Sequence, residues 1–236
     1  MTRRQSPKRC SSYVRAKRLA CRTRSGPYLG TLLRDNAASA VLGQASREVG
    51  IDPSGWQQAE AETVAAGKSF LPFSYLSSLY PEPVLDALKQ HFLALATQTN
   101  LLYDDALPLL AALSERHVPA MILTYGENDF QRLKLEATGL HTYEYIISDI
   151  PHKGGLIAGW RRAENYLPPG RPDSSQALRV LLVDDKAIAF AGLPDDCRGA
   201  WLQRPDEPML PSQLGEVSST VAIIANLADC LSLLDN

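Results

Sequence analysis

The chain of 236 residues has no apolar run approaching the ~18–20 residues that span a bilayer. It has no early apolar stretch of the ~7–15 residues that mark a secretory signal. No membrane association or export is therefore expected. Cysteines are few: Cys10, Cys21, Cys197 and Cys230 are scattered, with no C-x-x-C pair among them. That spacing argues against a zinc site and against a disulfide framework, and predicts reduced thiols in a cytoplasmic protein. No internal repeat is visible, and no low-complexity tract beyond the basic start. What is present is an ordinary globular mixture, with 45% hydrophobic and 21% charged residues. Such a mixture excludes wholesale disorder and can bury a core without metal or disulfide support.

Acidic residues are absent from residues 1–25, which hold nine basic ones. The remaining 15 basic residues face all 26 acids, so residues 26–236 carry about −11. The basic stretch has few large apolar residues and no period, and little burial is expected of it. Three readings stand for it: a solvated tail, an arm touching nucleic acid or a transit-like segment, or a start read in the wrong frame. The acidic remainder argues against broad nucleic-acid affinity, so the basic segment is the only hint of such a partner.

From residue 36 the pattern is helical. Asn36 to Gly50 starts on a capping residue and stops at glycine, and Pro53 to Gly67 reads as a second helix. Ser69 to Tyr80 reads as a packed connector broken by Pro72. Pro83 to Gln98 is strongly amphipathic through Val84, Leu85, Leu88, His91, Phe92 and Leu95, which puts His91 on the apolar side. Residues 36–100 therefore form a small helical unit.

Then the texture changes. Asp104 and Asp105 can cap a helix running to Arg116. Val118–Thr124, Glu144–Ile147, Arg179–Asp184 and Gly199–Gln203 read as strands. Helices are expected at Glu127–Thr138, Gly154–Tyr166, Lys186–Phe190 and Leu227–Leu234. Short apolar strands alternating with helices indicate an α/β fold with a parallel sheet.

In such a sheet ligands bind outside the carboxyl ends of the strands. Thr124 ends one apolar run, Lys153 follows the loop after another, and Asp184 and Asp185 end a third. A hydroxyl, an ammonium and paired carboxylates at one sheet edge suit a phosphate with a divalent cation. Each has a plainer reading: Thr124 as a cap for the next helix, Lys153 as a surface lysine. Tyr75, Tyr80 and Trp56 are candidates to line the site or ordinary core aromatics. Of the four histidines only His152 neighbours a candidate residue.

The order Leu123-Thr124-Tyr125-Gly126, then Lys153 29 residues after Thr124, then Val183-Asp184-Asp185-Lys186 resembles the haloacid dehalogenase-like (HAD) superfamily. The resemblance covers roughly residues 101–204. It implies a Rossmann-like parallel core over residues 26–35 plus 101–236, with residues 36–100 as an inserted helical cap. It implies a phosphohydrolase acting on a small phosphate monoester, with Thr124 and Lys153 binding phosphate and Asp184 and Asp185 holding Mg2+. The family's nucleophile and acid/base lie in an Asp-x-Asp-x-Thr motif ending the first core strand. Here Gly30-Thr31-Leu32 resembles that motif's tail, but Pro27 and Leu29 stand at the two aspartate positions and no apolar strand precedes them. Asp35, Asp104, Asp105 and Asp149 do not match the position either. The expectations are a phosphohydrolase whose nucleophile is not identifiable, a catalytically inactive binding or regulatory protein of that fold (a pseudoenzyme), or a chain with a frameshifted start.

Overall fold

The computed structural model describes residues 29–66, 69–171, 179–205 and 214–234. The expectations for residues 1–25, and for the stretch up to Tyr28, fall outside them.

The chain enters through a short helix, α1 (Leu29–Leu32), and a fully buried Leu33. Four helices follow: α2 (Asp35–Glu48), α3 (Pro53–Ala65), α4 (Pro72–Ser77) and α5 (Glu82–Ala96). Their starts obey local rules. Asp52 accepts a hydrogen bond from the Ser54 amide at 3.0 Å and Pro53 occupies the first turn of α3. Pro72 likewise opens α4, so the stretch expected to be a broken connector contains a helix. A proline in the first turn lacks only an N–H that would have had no helical partner. α5 buries Leu85, Leu88, Phe92 and Ala96 at three-to-four spacing. His91 falls outside that stripe. It is exposed and its Nδ1 lies 2.8 Å from Glu48 Oε2, tying α5 to α2 rather than packing in the core.

The chain returns beside its own entry. Leu33 bridges Leu102, the Arg34 amide donates to the Leu101 carbonyl, and the Tyr103 amide donates to the Leu32 carbonyl, both at 2.9 Å. Next come α6 (Ala106–Glu115), β1 (Met121–Tyr125), α7 (Asn128–Ala137), β2 (Glu144–Ser148) and α8 (Lys153–Gly159). The helix expected to reach Tyr166 stops at Gly159. Arg161–Arg162 (β3) and Asn165–Tyr166 (β4) then form an antiparallel hairpin that turns through Ala163 at φ 54°. The tail supplies β5 (Leu181–Asp184), a 3-10 turn at Ala187–Phe190, β6 (Arg198–Leu202), β7 (Val221–Ile224) and, after a 3-10 turn at Leu227–Asp229, α9 (Cys230–Leu234). β7 was not expected, although Val221-Ala-Ile-Ile224 is an apolar run.

All pairings in the core are parallel: β1 with β2, and β5 with β6 with β7. The side chains show that these two sheets continue one layer. Ile122, Leu181, Val183, Ala200 and Leu202 join one hydrophobic cluster with α2, α5 and α6. Met121, Leu123, Leu182 and Trp201 join another with Ile157 and Trp160. Alternation on β1 and β5 thus feeds the same two clusters. Yet among the described residues no strand pairs with the facing edges of β1 and β5, and α1 packs against both strands. Cys197 and Cys230 are buried free thiols.

Candidate functional site

Thr124 and Asp184 occupy the carboxyl ends of β1 and β5, and Lys153 opens α8. Asp184 is fully buried. Its Oδ2 accepts from Lys153 Nζ at 2.7 Å and its Oδ1 accepts from the Lys186 amide at 2.9 Å. Lys153 is itself buried. Burial pushes its ammonium below the ordinary lysine range, and the Asp184 and Asp185 carboxylates oppose that shift. Lys153 is placed by Gly154. A Cβ there would come within 2.5 Å of the Leu193 amide nitrogen and 2.8 Å of the Ala191 carbonyl oxygen. Only glycine lets the start of α8 press this closely on the 191–193 backbone.

The Thr124 hydroxyl is buried and donates to Gln131 Oε1 on α7 at 2.9 Å, so it braces the helix through a side chain rather than capping its end. Gly126 makes the turn between them at φ 136°, a conformation that a Cβ would strain and crowd against Gln131. Asp185 is half-buried beside Asp184, and its carbonyl accepts from Trp201 Nε1 at 3.2 Å.

Three further groups surround this edge. Burial pushes the Lys186 ammonium down, but Asp185, Asp35 and Asp184 outweigh it and hold it above the ordinary range. Asp35 opens α2 and pairs with buried Lys134 at 3.1 Å, with half of its side chain open to solvent. Desolvation acts to raise its carboxyl, and the fields of Lys134, Lys186 and Lys153 bring it below the usual range. Glu60 of α3 is pushed up by its own burial and by Asp35. Asp35, at the start of α2, thus ties the helical residues to α7 through Lys134. The sequence signal for it was its place after Leu32-Leu33-Arg34. Lys134 carried none, being one cation within an amphipathic helix.

Between α4, α5 and the carboxyl ends of β1 and β2 lies a cavity of about 590 Å3. Tyr125, Gly126 and Asp149 form its sheet side, and Phe73, Ser74 and Lys89 its helical side. Glu127 spans the two. Its carboxylate accepts from the Phe73 amide at 2.8 Å and from the Ser74 amide and hydroxyl at 2.5 Å each. Lys89 pairs with Asp129 at 2.9 Å. Of the aromatics weighed as lining, Trp56 is core, and Tyr75 and Tyr80 pack half-buried against that core.

Among the described residues no group of three His, Cys, Asp or Glu converges as a metal cage. The donor set still suits Mg2+, which keeps several waters and is held by one or two carboxylates plus phosphate oxygens. Asp184 ends β5 and Asp185 follows it, so two carboxylates stand side by side at this edge.

No family model matches the chain, and no curated protein matches it. Solved structures do. The putative HAD-hydrolase YfnB from Bacillus subtilis, bound to magnesium, matches at TM-score 0.52 and 19% identity, over 91% of this chain and all of that one. A putative haloacid dehalogenase-like hydrolase from Burkholderia xenovorans gives 0.54 and 18%, over 89% and 95%. CbbY from Rhodobacter sphaeroides, in complex with phosphate, gives 0.53 and 14%, over 91% and 99%. The fold is therefore HAD-like, an α/β Rossmann-like core, as the motif order implied. No helix among the described residues is long and apolar enough to cross a membrane.

Proposed function

We propose that this chain binds the phosphate group of a small phosphate monoester at the edge formed by β1, β5 and α8, in a site of the phosphohydrolase type. One observation carries the reading: buried Lys153 lies 2.7 Å from buried Asp184, next to Asp185. An ammonium and a carboxylate drawn together out of water, with a second, half-buried carboxylate beside them, match a transferring phosphoryl group and its cation. Lys153 neutralises charge on the phosphoryl oxygens. The Thr124 hydroxyl, rotated away from Gln131, donates to one of them. Asp184 and Asp185 hold Mg2+, which supplies electrostatic stabilisation of the phosphoryl charge. Magnesium in the YfnB structure and phosphate in the CbbY structure support the choice of ligands. The helical residues 36–100 act as the cap, with Glu127 and Lys89–Asp129 as their ties to the core.

A second reading, binding without turnover, is favoured by Pro27 and Leu29 at the two positions where the family's motif carries aspartates. The test is Mg2+-dependent hydrolysis of an aryl phosphate, run beside calorimetric titration of inorganic phosphate, with Asp184→Asn as control. Turnover abolished by the control supports hydrolysis. Phosphate binding without turnover supports the second reading. Absence of both refutes both.

A further inference from the structure

The cavity beside the phosphate edge has a charge of its own. Four ionisable side chains line it: Lys89, Glu127, Asp129 and Asp149. Lys89 is spent on Asp129. Glu127 accepts from the neutral amides of Phe73 and Ser74 and from the Ser74 hydroxyl, none of which is a cation. Asp149 is exposed, directly after the end of β2, and no hydrogen bond or ion pair holds its carboxylate among the described residues. The lining therefore carries a net charge of about −2, with Ser69, Ser74, Ser77 and Asn128 as uncharged polar groups. The cavity adjoins the phosphate edge: Tyr125, on its wall, directly follows Thr124 at the carboxyl end of β1.

We infer that this cavity receives the organic group of the phosphomonoester and selects one bearing an ammonium, an amino-alcohol phosphate, against one bearing a second anion. The inference rests on the phosphate reading given above and deepens it. A phosphate anchored beside Lys153 leaves its ester substituent to extend past Tyr125 toward Asp149. An ammonium there meets an uncompensated carboxylate and nearby hydroxyls. A carboxylate there meets two like charges without a free cation, since Lys89 already has its partner. A like-charge contact a few ångströms apart and partly solvated corresponds to about tenfold in affinity.

The test is calorimetric titration of the full chain, with Mg2+ present, using inorganic phosphate, phosphoethanolamine and 3-phosphoglycerate. The expected order places phosphoethanolamine about tenfold tighter than 3-phosphoglycerate, each referred to inorganic phosphate. Asp149→Asn, a surface change, should shrink that gap to about threefold or less. Phosphate binding with equal affinities for the two esters, or with the order inverted, overturns the inference and leaves the phosphate reading standing. A gap that persists unchanged in Asp149→Asn also overturns it. Failure of inorganic phosphate itself to bind overturns the phosphate reading, and the inference with it.

Discussion

Replacing Lys153 by methionine keeps most of the side-chain length and removes the ammonium that sits 2.7 Å from Asp184 Oδ2. Asp184 has no exposure to solvent, so among the described residues its carboxylate would keep the Lys186 amide at Oδ1 and lose its cation. Breaking a buried pair from one side costs about 3–5 kcal/mol, because the remaining charge stays out of water. Asp184→Asn breaks the pair from the other side and should also destabilise, by a smaller amount, since Lys153 can shed its proton. The double variant Lys153→Met with Asp184→Asn removes both charges. It should recover roughly 2 kcal/mol or more relative to the sum of the single changes. Urea unfolding at pH 7 measures all three. In a thermal scan, the Lys153→Met loss corresponds to a fall on the order of 10 °C for a chain of this length. Single losses below about 1 kcal/mol, additive in the double variant, would refute the reasoning. They would mean that water reaches the pair and that Lys153 is an ordinary surface cation.

Three other changes probe the supports of the site. Asp105 accepts both arms of Arg204 at 2.9 Å and the Leu227 amide at 2.9 Å. Burial acts to raise its carboxyl, and these donors hold it below the usual range. Its contribution is complete above the unfolded value of about 3.9 and is lost as pH falls through the folded one. Asp105→Asn should thus cost about 1.5–3 kcal/mol in urea at neutral pH, with the gap to the native chain closing in acid. Gly154→Ala places a Cβ against the 191–193 backbone, which cannot swing aside as a side chain would. A loss of about 1–3 kcal/mol, together with weaker phosphate binding, is expected, and unchanged affinity would show that α8 is not what places Lys153. Glu127→Gln replaces charge-assisted hydrogen bonds to Phe73 and Ser74 by neutral ones. Amides of α4 should exchange faster with deuterium while those of α6 do not, and uniform exchange would argue against Glu127 as a tie.

Periodicity made most elements visible before any coordinates, and the misses have local causes. The stretch Ser69–Tyr80 holds a proline, and a proline interrupts a helix or opens one depending on which N–H it removes. Only the position of Pro72 in the first turn decides it. The Gly154–Tyr166 stretch has enough apolar residues for a helix. It ends early because Trp160 and Tyr166 both turn into the cluster under β5, which a hairpin permits and a single helix face does not. Asp104 and Asp105 matched an N-cap by type. Asp105 is instead drawn to Arg204, nearly a hundred residues away, and local sequence carries no trace of that partner.

The site divides along the same line. Thr124, Lys153, Asp184 and Asp185 were legible because each ends or follows an apolar strand, a position that topology turns into one edge. Lys134, Glu127 and the placement of Asp35 were not, because each acts across elements whose packing had to form first. β1 and β5 feed the same two hydrophobic clusters, yet among the described residues nothing pairs with their facing edges. In the family that the motif order resembles, an Asp-x-Asp-x-Thr motif ends the first core strand. In this sequence the residues aligned with that motif are Pro27 and Leu29. The groups described at this edge are Lys153, Lys186 and the Asp184–Asp185 pair, with Asp35, held by Lys134, and Glu60 as further carboxylates. On the reading proposed above, that arrangement recognises a phosphate. Asp35→Asn in the hydrolysis assay separates a substitute nucleophile from a partner of Lys134: turnover lost with the fold intact marks the first, and turnover unchanged marks the second.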